Sequence, residues 1–278
     1  MSDITIGIPR ALYYYKFKNL WIPFFKELGV NVLISPVTDE SILSKEFYEL
    51  HDICLPLKIY IGHVNYLLDK VDYIFVPRIT SYNECPCFRS LYDVINSIFD
   101  AKLLDYNIDD KISEEEAFLK LGKKLGFGKE FILNAYNVAK REEYKQNKIN
   151  YLLQQKRLEN DDKKILLISQ EYIYEDEIIL KKVINPIKDK GIKVIYSNNI
   201  NPDNYNDINS YKKAIFNNIK KLQNRVDGIV NISTKPCISY VSKEFNKKYI
   251  NIRLDNLNFD ENKLYNFIND IRNGEKYE

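Results

Sequence analysis

The sequence predicts an α/β protein: two Rossmann-like (flavodoxin-like) parallel-sheet domains joined by a helical connector. Three observations predict it. Short apolar runs alternate with amphipathic stretches over the first hundred residues, the same plan starts afresh near residue 163, and the stretch between is charged and helix-forming.

In the first part, "ITIGIP" reads as a strand, "FKNLWIPFFKELG" as a helix and "VNVLISP" as a second strand. Gly29 stands where a helix-ending glycine stands. A helix is expected near "ESILSKEFYEL", another at "PLKIYIGHVNYLLDK", and then the strand "DYIFVPR". Strands separated by helices pair in parallel, which gives a first domain over residues 1–105.

Residues 106–162 read as the connector, without strand signals. There "SEEEAFLKLGKKLG" opens on Ser113 with Glu116 three residues on, a capping box. Its charged end, "KREEYKQNKINYLLQQKRLENDDKK", reads as a solvated helix face and a short linker.

A second domain over residues 163–278 repeats the plan: "KKILLIS", "EIILKKVINPIKDKG", "IKVIYSN", "YKKAIFNNIKKLQNRV" and "DGIVNIS". The helix–Gly–strand step of "ELGVNVLISP" recurs in "DKGIKVIYSN", and "VD" precedes the third strand of both halves.

Composition narrows the function. Of 278 residues 45% are hydrophobic and 29% charged, so the chain folds rather than staying disordered. Lys and Arg number 41 against 39 Asp and Glu, a net charge of +2 with no basic stripe, which implies neither a nucleic-acid nor a membrane partner. No apolar run approaches the roughly 18 residues of a membrane span, and "MSDITIGIPR" is a strand rather than a signal peptide, so a cytoplasmic location is expected. There is no Walker sequence, no "GxGxxG" and no "GxSxG", which argues against an ATPase, a dinucleotide enzyme and a serine hydrolase.

In a reducing compartment the four cysteines are expected as thiols or metal ligands rather than disulfides. Cys54, in "HDICLPLK", precedes a Pro-started helix, where unpaired amides and the positive dipole end favour a thiolate. Cys85, in "NECPC", and Cys237, in "STKPC", each follow the third strand of a half, at the edge where parallel sheets bind ligands. Thiols on separate loops could meet in a cleft between the domains around a soft metal or an iron–sulfur cluster. The spacing fits no zinc-ribbon or ferredoxin pattern, so ordinary cysteines remain the alternative. Arg10 ends the first strand, Arg78 lies at the end of the third, and Lys58 is one turn beyond Cys54. These cations could surround an anionic cavity, offsetting thiolate charge or binding a carboxylate or phosphate. Tyr13, Tyr14 and Tyr15 are expected to pack a helix start.

The segments "IGIPRALYYYKFKNLWIPFFKELGVNVLISP", "DICLPLKIYIGHV", "VDYIFVPRI" and "CPCF" resemble the 2-hydroxyacyl-CoA dehydratase superfamily, specifically its activase-related proteins. The likeness is strong over residues 4–93 and faint beyond. It implies Rossmann-like domains with an iron–sulfur cluster, 4Fe-4S or double cubane, on cysteines at the domain interface. Cys54 matches the cysteine of the family's "C-x-P-x-K" and Cys85 that of "C-P-K", with Cys237 as third ligand. Cys87 stands where "C-P-K" has lysine, which leaves it a fourth ligand, an alternate one or a bystander. The resemblance implies low-potential electron transfer to a small molecule or an acyl-CoA, with a separate ATP-dependent activase as partner. The alternatives are a non-enzymatic electron carrier or accessory subunit, and a metal-free ligand-binding protein. Self-association of the chain is compatible with each.

Overall fold

The computed structural model describes residues 4–43, 53–79, 85–109, 111–234, 245–255 and 257–274. The chain divides into two compact units, Met1–Gln146 and Asn147–Glu278.

The first unit contains β1 (Thr5–Ile8), α1 (Tyr14–Glu27), β2 (Asn31–Ile34), α2 (Leu55–Leu67), β3 (Tyr73–Ile79), the short α3 (Pro86–Arg89), α4 (Leu91–Ile98), β4 (Leu103–Ile108) and α5 (Glu114–Lys124). All pairings are parallel and the strand order is β2-β1-β3-β4, the order of flavodoxin-like sheets less their fifth strand. In α1, Tyr14, Phe17, Leu20, Trp21, Phe24 and Phe25 recur at helical spacing and are buried, so one stripe of the helix makes the core. Trp21 packs edge-on to Phe75 of β3, 4.8 Å between ring centres. Gly29, at φ 71°, ends the helix, with Val30 N donating to Phe25 O at 3.0 Å and Gly29 N to Lys26 O at 3.0 Å. Those two bonds form a Schellman motif, which needs the left-handed conformation that glycine supplies. Tyr13, Tyr14 and Tyr15 are buried around this helix start, as expected.

The capping box is present: Glu116 N donates to Ser113 Oγ at 3.2 Å and Ser113 N to Glu116 Oε2 at 2.9 Å. The long helix α6 (Lys129–Glu159) follows, and the boundary between the units falls inside it. β4 was not anticipated; the strand-free stretch starts after residue 108 rather than at 106. Most of the helix expected over residues 40–50 lies outside the described residues.

The second unit contains β5 (Lys164–Ile168), the short α7 (Glu171–Glu175), α8 (Glu177–Asp189), β6 (Lys193–Tyr196), α9 (Ile208–Leu222), β7 (Gly228–Thr234), β8 (Tyr249–Leu254) and α10 (Glu261–Asn273). Its strand order, β6-β5-β7-β8, is that of the first sheet, so both halves are Rossmann-like parallel-sheet domains. Equivalent positions do equivalent work. Gly191, at φ 75°, matches Gly29, and Ser197 N donates to Leu167 O at 3.1 Å as Ser35 N does to Ile8 O at 3.3 Å. One outer strand of each sheet, β4 and β8, receives a lysine from the helix that follows it. Lys124 Nζ donates to Leu103 O at 3.1 Å and Lys263 Nζ to Asn251 O at 3.3 Å.

Candidate functional site

Helices in a parallel sheet run against the strands, so the first residue of each connecting helix lies at the carboxyl edge. Cys54 is the N-cap of α2 and Cys85 the N-cap of α3, both in the extended backbone of a cap (φ −66°, ψ 150° and φ −63°, ψ 124°). Proline within the first turn sets the helical φ where no amide is required: Pro56 in α2 and Pro86 in α3. The Cys54 carbonyl accepts from Leu57 N and Lys58 N at 3.0 and 3.1 Å. Cys54 is buried and Cys85 half-buried, both as thiols.

Neither helix start has a side-chain cap hydrogen bond. Three helix starts of the second unit differ. Asp176 Oδ1 accepts from Ile178 N at 3.1 Å, Asp207 Oδ1 from Ser210 N at 2.7 Å and Asp260 Oδ1 from Lys263 N at 3.1 Å. Aspartates thus satisfy the amides of α8, α9 and α10, while at Cys54 the start of the 13-residue α2 presents its dipole's positive end to a sulfur. Negative charge is favoured at that edge of the first sheet.

The candidate cations fall on the same edge with different surroundings. Lys58 is 3% exposed on α2, a helix with 11 of 13 residues buried. Arg10 follows β1; its backbone N donates to Ser35 Oγ at 2.8 Å and its guanidinium lies 6.0 Å from the Tyr14 ring centre. Arg78 is turned toward α4, where Nη2 meets Asp93 Oδ1 at 3.3 Å and the guanidinium lies 5.1 Å from the Tyr92 ring. Its charge is partly offset there. On the neighbouring strand the Asp105 carboxyl is pushed up by burial, against the pull of Arg78 and Lys124. The Cys87 side chain and Cys237 lie outside the described residues. Among the described residues no group of three His, Cys, Asp or Glu side chains is placed to hold a metal ion.

His63 was given no role by the sequence reading. It is fully buried in α2, its Nε2 lies 3.0 Å from Thr38 Oγ1, and its Nδ1 has no hydrogen-bond partner among the described residues. Burial, reinforced by the Arg10 charge, pushes its pKa down to about 3, so the ring is neutral. The available signal was the apolar run "LPLKIYIGHVNYLL": a helix apolar all round is buried, so its rare polar residues stand out.

The donor chemistry at this edge suits a soft metal. Two thiols, one on an uncapped 13-residue helix, are ligands of the kind iron–sulfur clusters use, and a buried lysine follows one turn later. Among the described residues no helix is long and apolar enough to cross a membrane. Residues 5–200 match the family described as "CoA enzyme activase uncharacterised domain (DUF2229)". No curated protein matches the chain.

Proposed function

Because the chain belongs to the CoA enzyme activase domain family, we propose that it is an electron-transferring iron–sulfur component of a dehydratase–activase system, of the kind found in the 2-hydroxyacyl-CoA dehydratase superfamily. The observation that carries this reading is Cys54 at the N-cap position of a helix at the carboxyl edge whose start has no side-chain cap hydrogen bond, with Cys85 at the N-cap position of the next helix on that edge. Cys54 and Cys85 would hold the cluster, with Cys237 and Cys87 as the remaining thiols of the chain. Bound there, such a cluster supplies one-electron chemistry at low potential.

The chain's own residues set the conditions for that chemistry. The positive dipole end of α2 and the buried Lys58 would offset the negative charge of thiolate ligands. The half-burial of Cys85 leaves a route of approach. These 278 residues hold no phosphate loop, so ATP hydrolysis would fall to the activase of that system, and the electron acceptor would be an acyl-CoA enzyme or its substrate.

The test is anaerobic purification or reconstitution with iron and sulfide, followed by iron and acid-labile sulfide analysis and a visible spectrum. A brown protein containing both elements is expected, with the colour lost in Cys54→Ser and Cys85→Ser. A colourless, iron-free wild-type chain after reconstitution overturns the reading.

A further inference from the structure

We propose that the second half of α6 is a self-association surface, pairing antiparallel with the same helix of a second copy of this chain. One face of this stretch packs into the second unit. Gln154 is fully buried, donates from Nε2 to Tyr196 O at 2.9 Å and accepts from Tyr196 N at 2.8 Å, and Leu158 one turn on is buried with it. On the opposite face, Ile149, Leu152 and Leu153 are 40%, 50% and 48% exposed. Spaced by three and four residues, they form one continuous apolar stripe. Such a stripe on a helix otherwise dense in charge marks an interaction surface.

Charge selects the occupant. Along the same face of this one helix, Glu142 and Lys156 lie two turns to either side of Ile149. An antiparallel partner related by a two-fold axis at Ile149 therefore sets Glu142 of each copy against Lys156 of the other. It also lays the Lys145 stem over Leu153, with the ammonium free to reach water. Parallel pairing would set Glu142 against Glu142 and Lys156 against Lys156. Moving the axis to Leu152 would set Lys145 against Glu159 but Lys148 against Lys156, so one attraction is cancelled by one repulsion. The surface is complementary to itself in the antiparallel orientation, and a two-fold contact of this kind closes on itself.

The experiment is sedimentation equilibrium of the full chain over a range of concentrations into the high micromolar. The expected result is a reversible rise to twice the chain's mass. Leu152→Glu with Leu153→Glu should remain monomeric, with an unchanged far-ultraviolet circular dichroism spectrum because both side chains are exposed. Glu142→Lys and Lys156→Glu should each weaken association about tenfold, and the double exchange should restore it. A wild-type chain monomeric throughout overturns the proposal, as does a dimer that survives the leucine substitutions. Failure of the double exchange to restore association overturns the antiparallel register.

Discussion

Asp72 and Asp227 make the same bond in the two units. Asp72 Oδ2 accepts from Thr5 N at 2.7 Å and Asp227 Oδ2 from Lys164 N at 2.8 Å. The backbone N of each aspartate returns a bond to the same residue's carbonyl, 2.9 Å in both units. Each aspartate thus ties the start of one central strand to the start of its neighbour and helps fix their register. Replacing Asp72 with Ala should cost about 1 kcal/mol in urea unfolding, and Asp227 with Ala about 1.5 kcal/mol, because Asp227 also holds Lys163 Nζ at 2.9 Å. Equal, negligible costs would show that register is set elsewhere.

Gly62 allows the chain around Ile42 to lie directly on α2. A Cβ added there would clash with the Ile42 carbonyl oxygen, a backbone atom that cannot swing aside. Gly62→Ala should therefore destabilise by about 2–3 kcal/mol despite the better helix propensity of alanine. Gly128, with nothing within 4 Å of its built Cβ, is the control, and Gly128→Ala should stay within about 0.5 kcal/mol of wild type.

His63 makes stability depend on pH in a defined window. Its folded pKa, about 3, lies below the ordinary 6.5, so between those values the unfolded chain binds a proton that the folded chain refuses. Stability should fall as pH drops from 6.5 toward 3, by up to about 1.4 kcal/mol per pH unit, with no contribution from His63 above that window. The difference between wild type and His63→Gln in urea midpoint against pH should carry this slope. A pH-independent difference would mean that the ring takes up its proton in the folded chain as readily as in the unfolded one.

Lys140 bridges two carboxylates, Glu114 Oε1 at 2.9 Å and Glu143 Oε2 at 2.7 Å, and Tyr136 Oη donates to the same Glu114 oxygen at 3.0 Å. Burial pushes the Glu114 carboxyl up, while Lys140 holds it down. Lys140→Met leaves both acids without their cation. The loss expected at neutral pH is about 2 kcal/mol, less than for a fully buried pair because the lysine is 37% exposed. The deficit should shrink in acid as the carboxyls take up protons, which thermal melts across pH would register.

Much of this architecture could be read from residue order, and the exceptions have physical causes. Gly29, Gly191 and the repeated "VD" marked the same turns and strand starts in both halves because backbone sterics and one hydrogen bond demand those residues. β4 was missed because "LLDYNI" sets Asp105 and Asn107, residues that disfavour strands, on one face of the sheet. β8 escaped for a related reason: "YINIRL" is an edge strand with Tyr249, Asn251 and Arg253 exposed, so its alternation is diluted by polar residues. At the candidate site, the positions of Cys54 and Cys85 followed from proline and strand order. The pairing of Arg78 with Asp93 did not, since spacing along the chain says nothing about which charge a guanidinium turns toward.

The two lysines bonded to outer strands bear on solubility. Leu103 and Asn251 direct their carbonyls outward, where an unguarded strand would template the backbone of another molecule. An incoming segment must first strip off an ammonium and then bury or displace it. The β4 and β8 edges are thus guarded against further strand addition, and the protection comes from the helix the chain forms next.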